Sequence, residues 1–130
     1  MSHHFAEVTV LASYFVMKEY DQSVGRLVFS GAHKPGSLGN DDAEFIKVKI
    51  TRVLTDGGLH ALIVDFSDMF FEHGLAIQDA IDKLQTAKIP VAIVYGEKCR
   101  AMVQAPADLY VDSVEKALQR IAAVVALDKR

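Results

Sequence analysis

Between residues 60 and 95 two uninterrupted apolar runs, HALIVDF and IPVAIVY, flank one amphipathic segment, GLAIQDAIDKLQTAK. Runs of this length, rich in β-branched residues and lacking period-two alternation, read as strands buried on both faces. The middle segment places its apolar residues at helical spacing, so the three together predict a βαβ unit with parallel strands. Sites in parallel sheets gather at the carboxyl ends of the strands. Here those ends are residues 65–74 and 95–100.

Upstream, residues 5–16 and 26–30 are rich in Val, Phe, Tyr and Thr and predict a β-hairpin, with the polar MKEYDQSVG as its turn. Residues 31–40, GAHKPGSLGN, combine three glycines with a proline and predict a loop, the longest irregular segment. Asn40, Asp41 or Asp42 can then cap a helix that carries Ile46, Ile50, Val53 and Leu54 at helical spacing and stops at Gly57-Gly58. Downstream, residues 96–104 predict a short helix and 109–111 a short strand. Asp112 or Ser113 caps a last helix with Val114, Ala117, Leu118, Ile121 and Val125 on one face and Glu115, Lys116, Gln119 and Arg120 on the other. The expected order is ββαβαβαβα. It describes one compact α/β domain over residues 1–130, an N-terminal hairpin followed by βαβ units in a mixed, mostly parallel sheet. Met1 to His4 are expected to lie outside it.

Half of the 130 residues are hydrophobic, enough for one core that buries about two thirds of the unfolded surface. A net charge of −3 with interspersed signs offers no basic stripe to nucleic acid and no cationic amphipathic helix to a membrane. No apolar run approaches the roughly 20 residues that span a bilayer, and MSHHFAEV lacks the apolar core of a signal peptide. The expected location is the cytoplasm. Cys99 is the single cysteine, so no disulfide or thiolate cluster forms within one chain. His3, His4, His33 and His60 show no metal-ligand spacing, and residues 31–40 lack the Gly-Lys-Ser/Thr ending of a phosphate-binding loop. No metal site and no cofactor is predicted.

Candidate chemistry clusters after the first buried strand. Asp65 and Asp68 flank Ser67, which would suit a magnesium ligand or a phosphate-responsive loop, or simply turn formation by short polar side chains. Phe66, Met69, Phe70 and Phe71 either fold inward or form a partner-facing patch. His73 sits beside Glu72, where a following helix N-terminus would favour its neutral form and stabilise an anion; the plainer reading is an exposed loop histidine. Cys99 would be nucleophilic if Lys98, Arg100 and a helix N-terminus lowered its pKa. No base and orienting group can be assigned to it, so a buried structural thiol is the plainer reading.

The Asp65-Phe66-Ser67 element, and the ending in which a short strand leads into Asp-Ser-x-x-x-Ala-Leu at Asp112 to Leu118, resemble the STAS domain of bacterial anti-sigma-factor antagonists and sulfate transporters. The resemblance covers roughly residues 24–123. It implies a non-enzymatic regulatory domain whose partner is a serine kinase of the anti-sigma type or another STAS subunit. It places the docking surface at Ser67, Asp68, Phe70, Phe71, Glu72, His73 and Gly74. That family switches on an Asp-Ser-Ser-Gly loop, whose serine or threonine is phosphorylated at the start of the next helix. This chain has Phe71-Glu72-His73-Gly74 on a shorter loop, and neither Glu72 nor His73 can take a phosphate ester. The carboxylate of Glu72 could imitate the phosphorylated state with about one charge rather than nearly two.

A weaker resemblance is to the crotonase and Clp protease superfamily. Phe71 to Leu75 looks like the loop that supplies one oxyanion-hole N–H, and Gly96-Glu97-Lys98-Cys99 sits where a second loop begins. That resemblance implies an acyl-binding protein or degenerate enzyme, although the chain is short for it and the usual nucleophilic serine falls near Cys99 or Arg100. A third reading is a self-associating structural subunit. The final helix separates the lineages, since a STAS domain packs it on its own sheet and a crotonase relative extends it to a neighbour.

Overall fold

The computed structural model describes residues 9–19, 21–103 and 109–128. The strand expected over residues 5–8, Gln104 and the side chain of Val125 lie outside the described residues. The elements are β1 (Val10–Glu19), β2 (Gln22–His33), α1 (Asn40–Asp56), β3 (Ala61–Phe71), α2 (Ile77–Gln85), β4 (Val91–Val94), β5 (Tyr110–Val111) and α3 (Val114–Asp128), with 3-10 turns at Gly36–Gly39 and Glu97–Met102. They form one five-stranded sheet in the order β1-β2-β3-β4-β5. The β1–β2 pair is antiparallel and the other pairs are parallel, which is the mixed, mostly parallel sheet expected from the sequence.

Helices cover both faces. On one, Leu27, Leu62, Val64 and Ile93 of the sheet pack with Ile46 and Ile50 of α1 and Ile81 and Leu84 of α2. On the other, Val24, Ala61, Ile63, Ala92 and Val94 pack with Ala117 and Ile121 of α3. Every residue from Ala61 to Phe66 is therefore buried, which is why this run shows no alternation. The final helix packs on its own chain's sheet. Ser113 caps it, its Oγ accepting the Lys116 N–H at 3.1 Å, while Asp112 makes an exposed ion pair with Lys116 at 2.8 Å.

Three expectations are corrected. The hairpin turn is far tighter than MKEYDQSVG, because β1 and β2 stay paired down to Glu19 and Gln22; the polar residues there belong to a solvent-facing hairpin and do not mark a break. Residues 31–40 are only partly irregular, since β2 runs to His33 and a 3-10 turn occupies Gly36–Gly39. The α1 cap position is Gly39, with no side-chain cap. A Cβ at Gly39 would lie 2.0 Å from the Lys34 carbonyl oxygen and 2.6 Å from His33 Cε1, so no larger residue fits.

Asp42, one of the expected caps, is buried and does other work. Its carboxylate accepts the Thr9 and Lys34 N–H groups, each at 2.9 Å, and pairs with Lys34 Nζ at 3.0 Å. Burial opposes its charge, but these backbone bonds and the ammonium together hold its carboxyl below the ordinary value. Among the described residues no helix is long and apolar enough to cross a membrane.

Candidate functional site

The site begins with a bulge in β3. Val28 pairs with Asp65 and Ser30 with Asp68, so β2 has Phe29 alone where β3 has Phe66 and Ser67. The extra residue shifts the alternation of everything after it. Phe66 faces α1 and α2, as do Met69 and Phe71, all three buried. Asp68 and Phe70 face outward, Phe70 with 44% exposure. Strand pairing also runs six residues past Asp65, so Ser67, Asp68, Phe70 and Phe71 lie on the strand and not in a loop. The aromatic cluster thus divides, and Phe71 offers no side chain to a partner.

Asp65 holds the bulge. It is 1% exposed and its Oδ1 accepts both the Ser67 N–H at 2.9 Å and the Ser67 hydroxyl at 2.6 Å. Its Oδ2 accepts from the Arg26 guanidinium at 2.8 Å, whose other side lies 5.4 Å from the Phe15 ring centre. These contacts occupy the carboxylate in structure, and no group of three or more metal-ligating side chains is assembled among the described residues.

Beyond Phe71, Glu72 and His73 are exposed and Leu75 is 91% exposed. Gly36 N–H donates to the His73 carbonyl at 3.1 Å, which ties this loop to the 3-10 turn before α1. Between the two segments Gly36, Ser37, Asn40, His73, Gly74 and Ala76 line an open hollow of about 430 Å³. Helix α2 starts at Ile77 without a side-chain cap. Glu72, five residues earlier, stands clear of its first turn.

Beneath the loop lies His33, which the sequence reading passed over except as a metal ligand. It is buried, its ring edge-on to Phe71 at 4.8 Å. Nδ1 donates to the Lys34 carbonyl at 2.9 Å, and Nε2 is buried without a hydrogen-bond partner. Burial is the main cause that holds its pKa below the ordinary histidine value. Strand alternation from Leu27 and Phe29 points to an inward side chain at position 33, the one signal that would have marked it.

At the end of β4, Cys99 is fully buried in the second 3-10 turn. Its Sγ accepts the Gly96 N–H at 3.2 Å and lies 3.2 Å from the Phe66 carbonyl. Burial pushes the thiol pKa up, the Gly96 bond opposes this, and Asp65 adds to the rise. The Cys99 N–H is itself donated to Gly96 O at 3.2 Å. A Cβ on Gly96 would fall 2.6 Å from the Ser67 carbonyl oxygen, so the turn is pressed against β3. The N–H groups of Gly96 and Cys99 are thus spent within the turn, which leaves neither free to receive an acyl oxyanion, as the crotonase resemblance would require.

No protein-family model matches the sequence, and comparison with curated proteins gives no match. Among solved structures, an anti-sigma factor antagonist from Mycobacterium paratuberculosis is similar over 86% of this chain and 95% of that one, with a TM-score of 0.63 and 17% sequence identity. The similarity is one of fold. A single α/β domain of the STAS type, implied by the sequence resemblance, is the fold of this chain.

Proposed function

We propose that this chain is a non-enzymatic regulatory module and that it docks a protein partner through the outward row of Asp68 and Phe70 together with Glu72, His73, Gly74 and Leu75. The observation that carries this reading is the β3 bulge, which turns Phe70 outward beside the exposed loop. An exposed aromatic and a leucine rimmed by ionisable side chains have the make-up of an interface core and its edge. Ser67 and Phe71 serve the same surface from below, Ser67 by fixing the bulge through Asp65 and Phe71 by anchoring the loop base over His33.

The fold neighbour is an anti-sigma factor antagonist. By analogy the partner here is a kinase of the anti-sigma type or another STAS subunit, met in the cytoplasm. A buried thiol of raised pKa and engaged turn N–H groups favour the non-enzymatic reading over an acyl-transfer one.

Whereas the resembled family carries its switchable charge at the start of the helix, Glu72 gives this surface a fixed negative charge five residues ahead of α2. Replacing Glu72 and His73 by serine removes it. A protein captured from the native host and titrated against both versions should bind the serine version roughly tenfold more tightly, the 1–2 kcal/mol of one charge-assisted contact. Equal affinity, together with no effect of Phe70→Ala, would rule out this surface as the docking site.

A further inference from the structure

Strand β1 ends the sheet, and among the described residues nothing pairs with its outer edge. It is ten residues long without proline or glycine, and its only charges are Lys18 and Glu19 at the turn. Long edges are ordinarily shortened, charged, kinked or covered, because an open ladder recruits other strands. Apart from Ser13, the side chains of this edge from Val10 to Met17 are apolar on both faces. Met17 packs with the α3 cluster, so Phe15 and Leu11 share its face, 42% and 68% exposed. Ala12 packs with the α1–α2 cluster, so Tyr14 and Val16 share that face, 44% and 51% exposed.

The direction of the free backbone groups follows from the hairpin. Thr9 O accepts the Ala32 N–H from the β2 side and Glu19 pairs with Gln22, so the odd-numbered residues of β1 exchange bonds with β2. Val10, Ala12, Tyr14, Val16 and Lys18 therefore point their N–H and C=O groups outward.

We propose that β1 pairs antiparallel with β1 of a second copy, about a two-fold axis normal to the sheet at Phe15, to make one continuous ten-stranded sheet. Such an axis keeps each face on its own side and joins even residues to even residues through the free groups. Phe15 then meets the partner's Phe15, and Tyr14 meets the partner's Val16 twice over, pairs of the aromatic and β-branched kind that stabilise sheets. Both copies of Lys18 and of Glu19 lie at opposite ends, so no like charges face each other. Half-exposed side chains of up to about 200 Å² for the aromatics, with a ten-residue backbone edge, supply on the order of 600 Å² per copy, near the lower bound for a stable interface of about 1,200 Å² in total. That area fits a concentration-dependent dimer of the whole chain. The inference stands on β1 alone and is independent of the docking surface on β3.

Sedimentation velocity across a wide concentration range is the test, with two kinds of variant. The wild-type chain should pass from monomer to dimer. Tyr14→Pro removes one outward N–H and should weaken the dimer about tenfold or more while circular dichroism stays unchanged. Phe15→Cys should form an intermolecular disulfide under mild oxidant, because facing residues of an antiparallel pair lie about 5 Å apart at Cα. Leu11→Cys, far from the axis, should not. A wild-type chain that stays monomeric with Phe15→Cys unlinked would overturn the proposal. So would equal crosslinking at positions 11 and 15, or a dimer indifferent to Tyr14→Pro.

Discussion

Phe29 and Phe66 stack with ring centres 5.3 Å apart and planes 15° from parallel, and β3 carries its extra residue immediately after this pair. The stack fixes Phe66 inward, and the bulge then decides which of the following aromatics is core and which is surface.

That division gives the first prediction. Phe71→Ala should cost about 3–5 kcal/mol in urea denaturation, the range for an aromatic deleted from a packed interior. Phe70→Ala should cost about 1 kcal/mol or less and act on partner affinity instead. Similar losses of stability at both positions would mean that the bulge does not separate them.

Ile63 and Ile93 are fully buried and face opposite sides of the sheet. Either residue changed to alanine should lower stability by about 2–5 kcal/mol through lost burial and a residual cavity. The denaturant midpoint would fall without a change of slope. An unchanged midpoint would contradict burial of both faces.

Those two strands were legible in the sequence because both of their faces are covered, and an unbroken apolar run has no other economical reading. Helices α1 and α3 were legible from spacing and from Gly57 and Ser113. The bulge was not, since Asp65, Ser67 and Asp68 read equally well as turn-forming polar residues after the strand, and nothing in their order marks one inserted residue. Asp42 looked like a cap because its bond to Thr9 joins residues far apart in sequence. The turn was misplaced because polarity marks a solvated hairpin end as readily as a break. Within the proposed docking stretch, only strand geometry tells Phe70 from Phe71.

His33 gives a pH prediction. Around it stand Asp42, which attracts the protonated form, and Lys34, which repels it; Phe71 brings no charge, and Glu72 and His73 on the next loop are exposed. Its folded pKa lies below the unfolded value of about 6.5. The stability it contributes is therefore complete above that value and lost as pH falls through the depressed one. Asp42, lowered likewise, gives up its share in a more acid window, below the ordinary carboxylate value of 3.8. Thermal melts should show two falls, and His33→Gln should remove the upper one. A single acid limb unaffected by that change would contradict the buried, neutral ring.

Cys99 should resist a thiol reagent in the native state and react at the unfolding rate, because its sulfur is enclosed and its pKa raised. No thioester or peptide hydrolysis is expected. Turnover abolished by Cys99→Ala would replace the docking reading with an enzymatic one.

The central claim is that a protein partner covers the outward row at the end of β3. Amide hydrogen exchange, followed with and without a partner captured from the native host, tests it most directly. Slower exchange confined to residues 68–76 and the first turn of α2, with α3 unchanged, is the predicted result; protection of α3 or β5 with residues 68–76 unaffected would contradict it.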